Sequence, residues 1–340
     1  MPIDVTIFAG TRPEAIKLAP VLAALRHAGV ATRLVASGQH GALLHDALAT
    51  FGLKADADAG SMPPGQTLGA LTATLVTRLE GDLAAHPPRL ILVQGDTTTA
   101  YAGALAAYYR HLPCGHIEAG LRSHDRYAPW PEELNRAMVD RLATRLYAPT
   151  QGARENLLRE GLADASILVS GQTGVDAALQ VAATLPPDPP PELAVALADC
   201  RQRLVFATGH RRENQNGGIA RVAAVLREMA ASRDDVTVLF AAHPSPEVRR
   251  ELQGISPHAH WRVIEPVSYA ASLWLLRHSA CVVSDSGGLQ EEAPCFGTPV
   301  LVTRDNTERP EGIAPGFLHI TGTDPDKYEP ACNRPCKARA

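Results

Sequence analysis

Short apolar runs rich in β-branched residues alternate, along the first half of the chain, with longer segments of helical periodicity. The runs typical of buried strands cover residues 5–10, 31–38, 89–96, 114–119, 145–150 and 167–171. The segments with helical spacing run from Pro13 to Gly29, near 42–50, over 67–85, from Thr98, over 131–143 and over 152–160. Strands that alternate with helices predict a parallel sheet with right-handed crossovers.

The second half repeats this alternation. Its strand-like runs cover 203–210, 236–243, 261–266, 280–286 and 299–304, and its helical segments cover 218–232, a stretch from Ser245, 269–278 and a stretch from Gly287. Five prolines occupy the six positions 186–191 between the halves. Because proline fixes φ and lacks an N–H donor, this segment is predicted to be a linker without regular structure.

These patterns predict an α/β protein with two Rossmann-like lobes, each built on a parallel sheet. The predicted divisions are a first lobe, a proline-rich linker, a second lobe and a divergent or truncated tail, at 1–184, 185–193, 194–324 and 325–340. Ligands of parallel sheets bind beyond the carboxyl ends of the strands, so we expect the ligand cleft between the lobes.

The amino-acid composition excludes several classes of protein. The chain has 340 residues, of which 45% are apolar and 20% charged, with a formal net charge of -4. These values exclude disorder and coiled coils and do not favour a general nucleic-acid binder, which would show a basic excess. No secretion signal and no membrane span is expected, because Asp4 interrupts the first apolar run and no uncharged run reaches ~18 residues.

The cysteines favour neither a disulfide framework nor a metal site. Four of the six are widely scattered, and Cys332 and Cys336 have no second pair to complete a zinc site. We therefore expect a protein without metal in a reducing compartment, the cytoplasm.

Carboxylates gather at predicted element ends in the first lobe. Asp96 and Glu118 each lie at the end of a predicted strand, and Glu132 and Glu133 begin a predicted helix. Each residue alone fits an ordinary role, since acidic side chains cap helices and favour their N-termini. Brought together, carboxylates raise one another's pKa values, which suits general acid–base catalysis.

The segment 284–312 carries the clearest binding signal. A predicted strand ends at Asp285, and a helix opens with the small residues Ser286, Gly287 and Gly288. Glycines let a phosphate approach the backbone N–H groups at a helix N-terminus. Glu292, one turn further, could bind ribose hydroxyls, and Arg309 lies near the end of the segment. A glycine-rich helix start with a solvated acidic turn is the alternative interpretation.

Cations and histidines supply further candidates. Arg12 and Lys17 lie at another helix start and could hold a pyrophosphate, or could be surface cations. His210 and Arg211 follow the first strand of the second lobe, and a histidine at that point could transfer a proton or contact a phosphate, or could simply be exposed. His243 is a similar but weaker candidate.

Several motifs of other chemistries are absent. The chain has no P-loop and no G-x-G-x-x-G after its first strand, so a tightly bound dinucleotide is not indicated. It also lacks H-E-x-x-H and G-x-S-x-G.

Seven separated motifs, in order between about residues 5 and 324, resemble the non-hydrolysing bacterial UDP-N-acetylglucosamine 2-epimerases. The motifs are GTRPEAIKLAP, QGDTTTAYAGALAAYY, GHIEAGLRS, PWPEELNR, TGHRREN, HPSPEVR and DSGGLQEEAP with GTPVLVTRDNTERPEG. The resemblance implies a GT-B fold and interconversion of UDP-GlcNAc and UDP-ManNAc through 2-acetamidoglucal, with no cofactor. It also implies a cytoplasmic homodimer that serves cell-surface polysaccharide biosynthesis, with no nucleic acid or membrane as partner.

The resemblance also implies roles for individual residues. The catalytic set would be Asp96, Glu118, Glu132, His210 and Lys17. The set that binds the UDP-sugar would be Arg12, Arg211, His243, Ser286, Gly287, Gly288, Glu292 and Arg309. Which carboxylate takes the C2 proton stays open.

Two departures and several alternatives accompany the resemblance. Gln39-His40 is followed by GALL rather than the arginine-containing stretch associated with a regulatory UDP-GlcNAc, and residues after Asp324 show no helical apolar face.

The alternative functions are a 2-epimerase for a related UDP-sugar, a hydrolysing epimerase, a GT-B glycosyltransferase that uses UDP-GlcNAc, and a non-catalytic UDP-sugar binder.

Overall fold

The computed structural model describes residues 2–39, 41–63, 65–211, 214, 217–324 and 327–328. The chain divides into two compact units, residues 1–177 and 178–340.

The first unit alternates strands and helices, and its last helix, α7, ends beyond residue 177. Its elements are β1 Ile3–Ala9, α1 Arg12–His27, β2 Thr32–Ala36, α2 Gly41–Thr50, β3 Ala57–Asp58, α3 Leu68–Ala85, β4 Pro88–Gln94, α4 Thr98–Tyr109, β5 Cys114–Ile117, α5 Glu132–Leu142, β6 Arg145–Ala148, α6 Gln151–Arg159, β7 Ile167–Val169 and α7 Thr173–Ala182.

The second unit follows the same plan. Its elements are α8 Ala194–Leu197, β8 Arg203–Gly209, α9 Gly218–Ser232, β9 Val236–Ala242, α10 Pro246–Gln253, β10 Trp261–Ile264, α11 Tyr269–His278, β11 Cys281–Ser284, α12 Gly287–Cys295, β12 Val300–Val302 and β13 Leu318–Ile320. Short 3-10 turns occupy Asp164–Ser166, Pro191–Leu193 and Pro310–Gly312.

Each unit is built on one parallel sheet in the described part of the chain. The strand orders are β3-β2-β1-β4-β5-β6-β7 and β10-β9-β8-β11-β12-β13, and all adjacent strands pair in parallel. The predicted fold class, two Rossmann-like α/β units of the GT-B type, is confirmed. Strand order reverses between β1 and β4 in one sheet and between β8 and β11 in the other, and such switch points open ligand crevices.

The cores explain why the strand runs are so apolar. Phe8 and Val35 in the first unit and Val238 and Phe240 in the second are at most 2% exposed. Strands of a parallel sheet are covered by helices on both faces, so they are apolar on both faces. At Gly103 of α4, an added Cβ would lie 2.8 Å from the Phe8 ring, so this glycine lets the helix approach the sheet closely.

The proline-rich segment lies within the second unit and packs against α11. Trp274 Nε1 donates to Pro187 O at 3.2 Å, and the Glu192 carboxylate accepts the backbone N–H of Ser268 at 3.3 Å. The expectation of no regular structure there is wrong at Pro191–Leu193, where proline's fixed φ suits a 3-10 turn. The predicted divisions at 184/185 and 193/194 stay a proposal, as does the tail, most of which lies outside the described residues.

Candidate functional site

The carboxyl ends of β4 and β5 place Glu118 beside the turn that carries Asp96. An added Cβ at Gly95 would lie 3.4 Å from Glu118 Oε2, so the Glu118 carboxylate lies against this turn. Glu118 has a φ of +71°, in the left-handed region that non-glycine residues rarely adopt. Such strain persists where the surroundings hold it and is common at functional sites.

Three donors fix the Glu118 carboxylate. Oε1 accepts from Lys17 Nζ at 2.5 Å and from Gln172 Nε2 at 3.0 Å, and Oε2 accepts from Gln94 Nε2. The side chains of Lys17 and Glu118 are 10% and 6% exposed, so this ion pair is buried. The alternative that Lys17 is a surface cation is therefore wrong.

Asp96 does not cap the helix that follows it. Thr97 is the N-cap of α4, and its Oγ1 accepts the N–H of Ala100 at 3.0 Å. The Asp96 carboxylate instead accepts from Arg136 Nη2, and its carbonyl accepts from Asn135 Nδ2 at 2.9 Å. Both partners belong to α5, so this helix holds Asp96 in place.

The two glutamates at the start of α5 have different surroundings. Glu133 accepts the backbone N–H groups of Ser123 and His124 at 3.0 and 3.1 Å and binds Arg136 at 3.2 Å, so it anchors the preceding loop. Glu132 is the first residue of α5 and is half-buried. The structure thus places Glu132 one turn from Arg136, the partner of Asp96.

Helix α1 begins with a buried carboxylate that the sequence did not identify as a site residue. Glu14 Oε2 accepts the N–H groups of Gly10 and Thr11 at 2.9 and 2.7 Å, and Oε1 accepts from Thr97 Oγ1 at 2.7 Å. Burial raises the pKa of Glu14 to about 7, although these hydrogen bonds oppose the shift. Arg12, the first residue of this helix, is half-buried.

In the second unit, Asp285 at the end of β11 organises the chain after β8. It accepts the backbone N–H groups of His210 and Arg211 at 3.0 and 2.9 Å and Asn214 Nδ2 at 3.0 Å. Asp285 is fully buried and lies 3.2 Å from His210 Nδ1. Burial acts to raise the pKa of Asp285, but the hydrogen bonds and charge of His210 outweigh it and lower the value to about 2.

The His210 ring stacks on His243, with ring centroids 5.5 Å apart. Partial burial and the neighbouring His210 lower the pKa of His243, which favours the neutral ring. The two predicted histidines and Arg211 are therefore brought together at one sheet edge. Arg212 and Glu213 of the same motif lie outside the described residues.

The N-terminus of α12 is formed by the predicted small residues. Ser286 is the N-cap, but its side chain makes no capping hydrogen bond. The first N–H groups of a helix have no partner within the helix and attract anions. An added Cβ at Gly287 would lie 2.7 Å from Arg309 Nη1, so any other residue here would displace that guanidinium from the helix start.

Arg309 is tied to two carboxylates near this helix start. Its Nε donates to Glu291 and its Nη1 donates to Glu308 at 2.5 Å. Glu308 also accepts from the fully buried Arg304 at 2.8 Å. These ion pairs hold the loop at 304–309 against α12.

Glu292 lies on the first two turns of α12 and is 7% exposed. Tyr269 OH donates to Glu292 Oε1 at 3.1 Å, which orients the carboxylate. Gln290 accepts from Thr307 Oγ1 at 2.6 Å and adds a second link between the helix and the 304–309 loop.

Sequence reasoning missed residues that orient the predicted groups. They are Glu14, Gln94, Arg136, Tyr269 and Arg304, whereas Gln172 and Asn214 were named only as residues that follow a strand. Asp285 was noted only as the last residue of a strand. Gln94 and Gln172 had a signal that could have found them, since both lie at or near the carboxyl ends of strands, where sites of parallel sheets form.

The described part of the chain contains neither a metal-binding cluster nor a membrane-spanning helix. No group of three or more histidine, cysteine, aspartate or glutamate side chains there could hold a metal ion. No helix in the same part of the chain is long and apolar enough to span a membrane.

Comparison with known proteins identifies the family. The sequence model of the UDP-N-acetylglucosamine 2-epimerase family matches residues 23–339. The UDP-N-acetylglucosamine 2-epimerase of Escherichia coli K12 is 40% identical over 325 residues, which cover 94% of this chain and 86% of that protein.

Solved structures agree with this match. A Listeria monocytogenes structure, described as a UDP-N-acetylglucosamine 2-epimerase, is 40% identical with a TM-score of 0.89, and the match covers 96% of this chain and 86% of that one. The Neisseria meningitidis UDP-GlcNAc 2-epimerase bound to UDP-GlcNAc is 37% identical with a TM-score of 0.87, and the match covers 96% and 89%. The chain therefore belongs to the UDP-N-acetylglucosamine 2-epimerase family.

Proposed function

We propose that this chain interconverts UDP-GlcNAc and UDP-ManNAc by inverting the configuration at C2 of the sugar. The observation that carries the proposal is the group at the β4–β5 edge, where Glu118, held by Lys17, lies beside the turn of Asp96. Family membership supplies the substrate class, since relatives are named for UDP-GlcNAc and one is described in complex with it.

The proposed reaction begins with removal of the C2 proton. The electron pair of the C2–H bond forms the C1=C2 double bond, and the C1–O bond breaks with its pair leaving on UDP. The intermediate is 2-acetamidoglucal. A proton then returns to C2 from the other face while UDP adds back at C1, so no net oxidation occurs.

The first-unit residues would carry the proton transfers. Asp96 is bound by Arg136, one turn after Glu132 on α5, and general acid–base groups on the two faces of a sugar are what inversion at C2 requires. Glu118, with three donors on its carboxylate, is suited to an ionised role that keeps Lys17 in place. Lys17 and Arg12 would add positive charge to stabilise the leaving diphosphate.

The second-unit residues would hold UDP. The free N–H groups at the start of α12 suit the diphosphate, with Ser286, Gly287 and Gly288 forming the approach. Glu292, oriented by Tyr269, suits the ribose hydroxyls. The groups placed to contact the phosphates or the C1–oxygen bond would be His210, Arg211 and His243, with Arg309 near the nucleotide.

We also propose that the protein is a homodimer. Large apolar side chains are exposed at Trp130, Leu134 and Met138, spaced four residues apart so that the last two share one face of α5. Light scattering after size exclusion would show twice the chain mass of 36.1 kDa. A single-chain mass would contradict this part of the proposal.

A cytoplasmic location, in which UDP-ManNAc feeds the synthesis of cell-surface polysaccharide, completes the proposal. Its support is that Cys114, Cys200 and Cys295 are free thiols, as in a reducing compartment. Fractionation of the source cells would test the location.

The test of the reaction is proton NMR of purified protein with UDP-GlcNAc in D2O, without added cofactor. UDP-ManNAc that carries deuterium at C2 is the expected product. Free ManNAc together with UDP would indicate hydrolysis instead. No change with a folded protein that binds UDP would overturn the proposal in favour of another UDP-sugar or a transferase that needs an acceptor.

A further inference from the structure

A second group of charged side chains contacts the backbone next to Asp96 and Glu118, and it has no role in the proposed reaction. It consists of His116, Arg122, Asp140 and Glu160, named here the His116 cluster. The side chains of His116 and Asp140 are fully buried, and that of Arg122 is 4% exposed. Buried charge of this kind is costly unless every group has partners, so its placement needs a reason.

Hydrogen bonding fixes the protons on the His116 ring. Nδ1 lies 2.6 Å from Asp140 Oδ1, and Nε2 lies 2.8 Å from the carbonyl oxygen of Gly95. A carbonyl oxygen only accepts, so Nε2 must donate. An ionised carboxylate also only accepts, so Nδ1 must donate if Asp140 is ionised. Rotating the ring by 180° would replace both nitrogens with carbons and lose both bonds.

Asp140 is ionised because of its neighbours. Its second oxygen accepts from Arg122 Nη2 at 2.7 Å and from the N–H of Gly120 at 3.3 Å. Burial acts to raise the pKa of Asp140, but the charges and hydrogen bonds of His116 and Arg122 lower it overall. Arg122 in turn binds Glu160 through two hydrogen bonds of 2.7 and 2.8 Å. Arg122 therefore bridges the two carboxylates of the cluster.

The cluster holds backbone on both sides of the candidate catalytic carboxylates. The Gly95 carbonyl that accepts the hydrogen bond from His116 Nε2 immediately precedes Asp96, and the Gly120 N–H held by Asp140 lies two residues after Glu118. Glu118 itself has a left-handed φ of +71°. A strained residue of this kind keeps its conformation only when neighbouring contacts impose it.

We propose that His116 is a positioning residue that donates from both ring nitrogens, fixing the Gly95 backbone directly and the Gly120 backbone through Asp140, and so sets the separation of Asp96 and Glu118. It touches no substrate and transfers no proton. This inference rests on the proposed function only for the reaction that Asp96 and Glu118 serve. The protons on the His116 ring can be observed without substrate.

The first experiment is 15N NMR of histidine-labelled protein at about pH 8.5, about two units above the ~6.5 at which a histidine in water loses its second proton. The His116 signals are assigned by their disappearance in His116→Gln. Both ring nitrogens are expected to carry protons. A single protonated nitrogen at this pH would overturn the proposal, whether or not the protein is an epimerase.

The second experiment compares kinetics of His116→Gln with those of His27→Gln, whose histidine is exposed. Each rate is normalised to the concentration of protein that binds UDP. Misplacement of catalytic groups lowers kcat by about 100-fold, and we expect this for His116→Gln with KM nearly unchanged. Wild-type kcat in this variant would overturn the positioning role.

Asp140→Asn provides a second variant if His116→Gln does not fold. In this variant the new amide can donate to Nδ1, so only Nε2 of His116 carries a proton; Nε2 still donates to Gly95, and kcat should fall less than in His116→Gln. An Asp140→Asn protein whose His116 still carries both protons at about pH 8.5 would contradict the assignment of charges. Absence of epimerisation in the wild type would defeat the proposed function alone, because the NMR result does not depend on it.

Discussion

Lys17 Nζ lies 2.5 Å from Glu118 Oε1, although the two residues are 101 positions apart in the chain. Lys17 comes from α1, after the first strand, and Glu118 follows β5. Because both side chains are at most 10% exposed, neither charge is compensated by water. The ion pair therefore ties the two sides of the strand-order reversal to each other.

Replacing Lys17 with Met is expected to destabilise the first unit by about 3 kcal/mol, because it leaves the Glu118 charge buried without its partner. Urea denaturation monitored by circular dichroism measures the change. The double variant Lys17→Met/Glu118→Gln removes both charges and should recover much of the loss. Equal stability of the Lys17→Met and double variants would show that the unpaired Glu118 charge is not the cause of the loss. Turnover should be lost in both.

Asp96→Asn is expected to lower kcat at least about 100-fold, as loss of a general acid–base group does. Arg136 then lacks a charged partner, but UDP affinity should stay within twofold because the proposed nucleotide site lies in the other unit. Isothermal titration with UDP and an NMR assay of turnover measure the two effects. Asp46→Asn, at an exposed position, is the matched control. Near-wild-type turnover of Asp96→Asn would remove this carboxylate from the proposed mechanism.

Much of the fold was predictable because its strands are buried on both faces. Runs such as 89–96 and 236–243 are apolar throughout and are bounded by turn residues, as parallel strands are. The short edge strands β3 and β13 were not predicted from the sequence. Two or three residues show no periodicity, and such strands are defined only by pairing with a neighbouring strand. Helix α7 was overlooked although its apolar residues recur at helical spacing.

The site was predictable in its positions but not in its partners. Asp96 and Glu118 could be found because strand ends are identifiable in sequence. That Arg136 binds Asp96, or that Tyr269 orients Glu292, depends on how helices pack, which local patterns do not specify. The helix-cap interpretation of Asp96 is wrong for a local reason, since the next residue, Thr97, supplies that hydrogen bond.

Gly287→Ala is expected to weaken UDP binding at least about tenfold while the protein stays folded, because a one-ångström displacement at a positioned group costs up to ~100-fold. The new methyl group would lie 2.7 Å from Arg309 Nη1 and would move that guanidinium or the start of α12. Isothermal titration measures the affinity. The matched control is Gly81→Ala in α3, where an added Cβ meets no atom within 4 Å. Unchanged UDP affinity in Gly287→Ala would place the nucleotide elsewhere.

Glu14 should make stability depend on pH in an unusual direction. The pKa of Glu14 is about 7 in the folded protein, against a reference value of 4.5 that stands for the unfolded chain. Between these two pH values the folded state keeps a proton that the unfolded state has lost. The stability that this proton confers is complete below pH 4.5 and is lost as pH rises through about 7. The shift corresponds to about 3 kcal/mol.

Glu14→Gln removes this titration while keeping the side-chain shape, with the amide oxygen able to accept from Gly10 and Thr11. Relative to this variant, the wild type should become less stable by about 3 kcal/mol as the pH rises from 4.5 to above 7. Urea denaturation of both proteins over this range measures the difference, and Glu155→Gln at an exposed position is the control. A constant difference between wild type and Glu14→Gln would mean that Glu14 is ionised throughout, in which case its hydrogen bonds with Thr97 and the α1 backbone outweigh its burial.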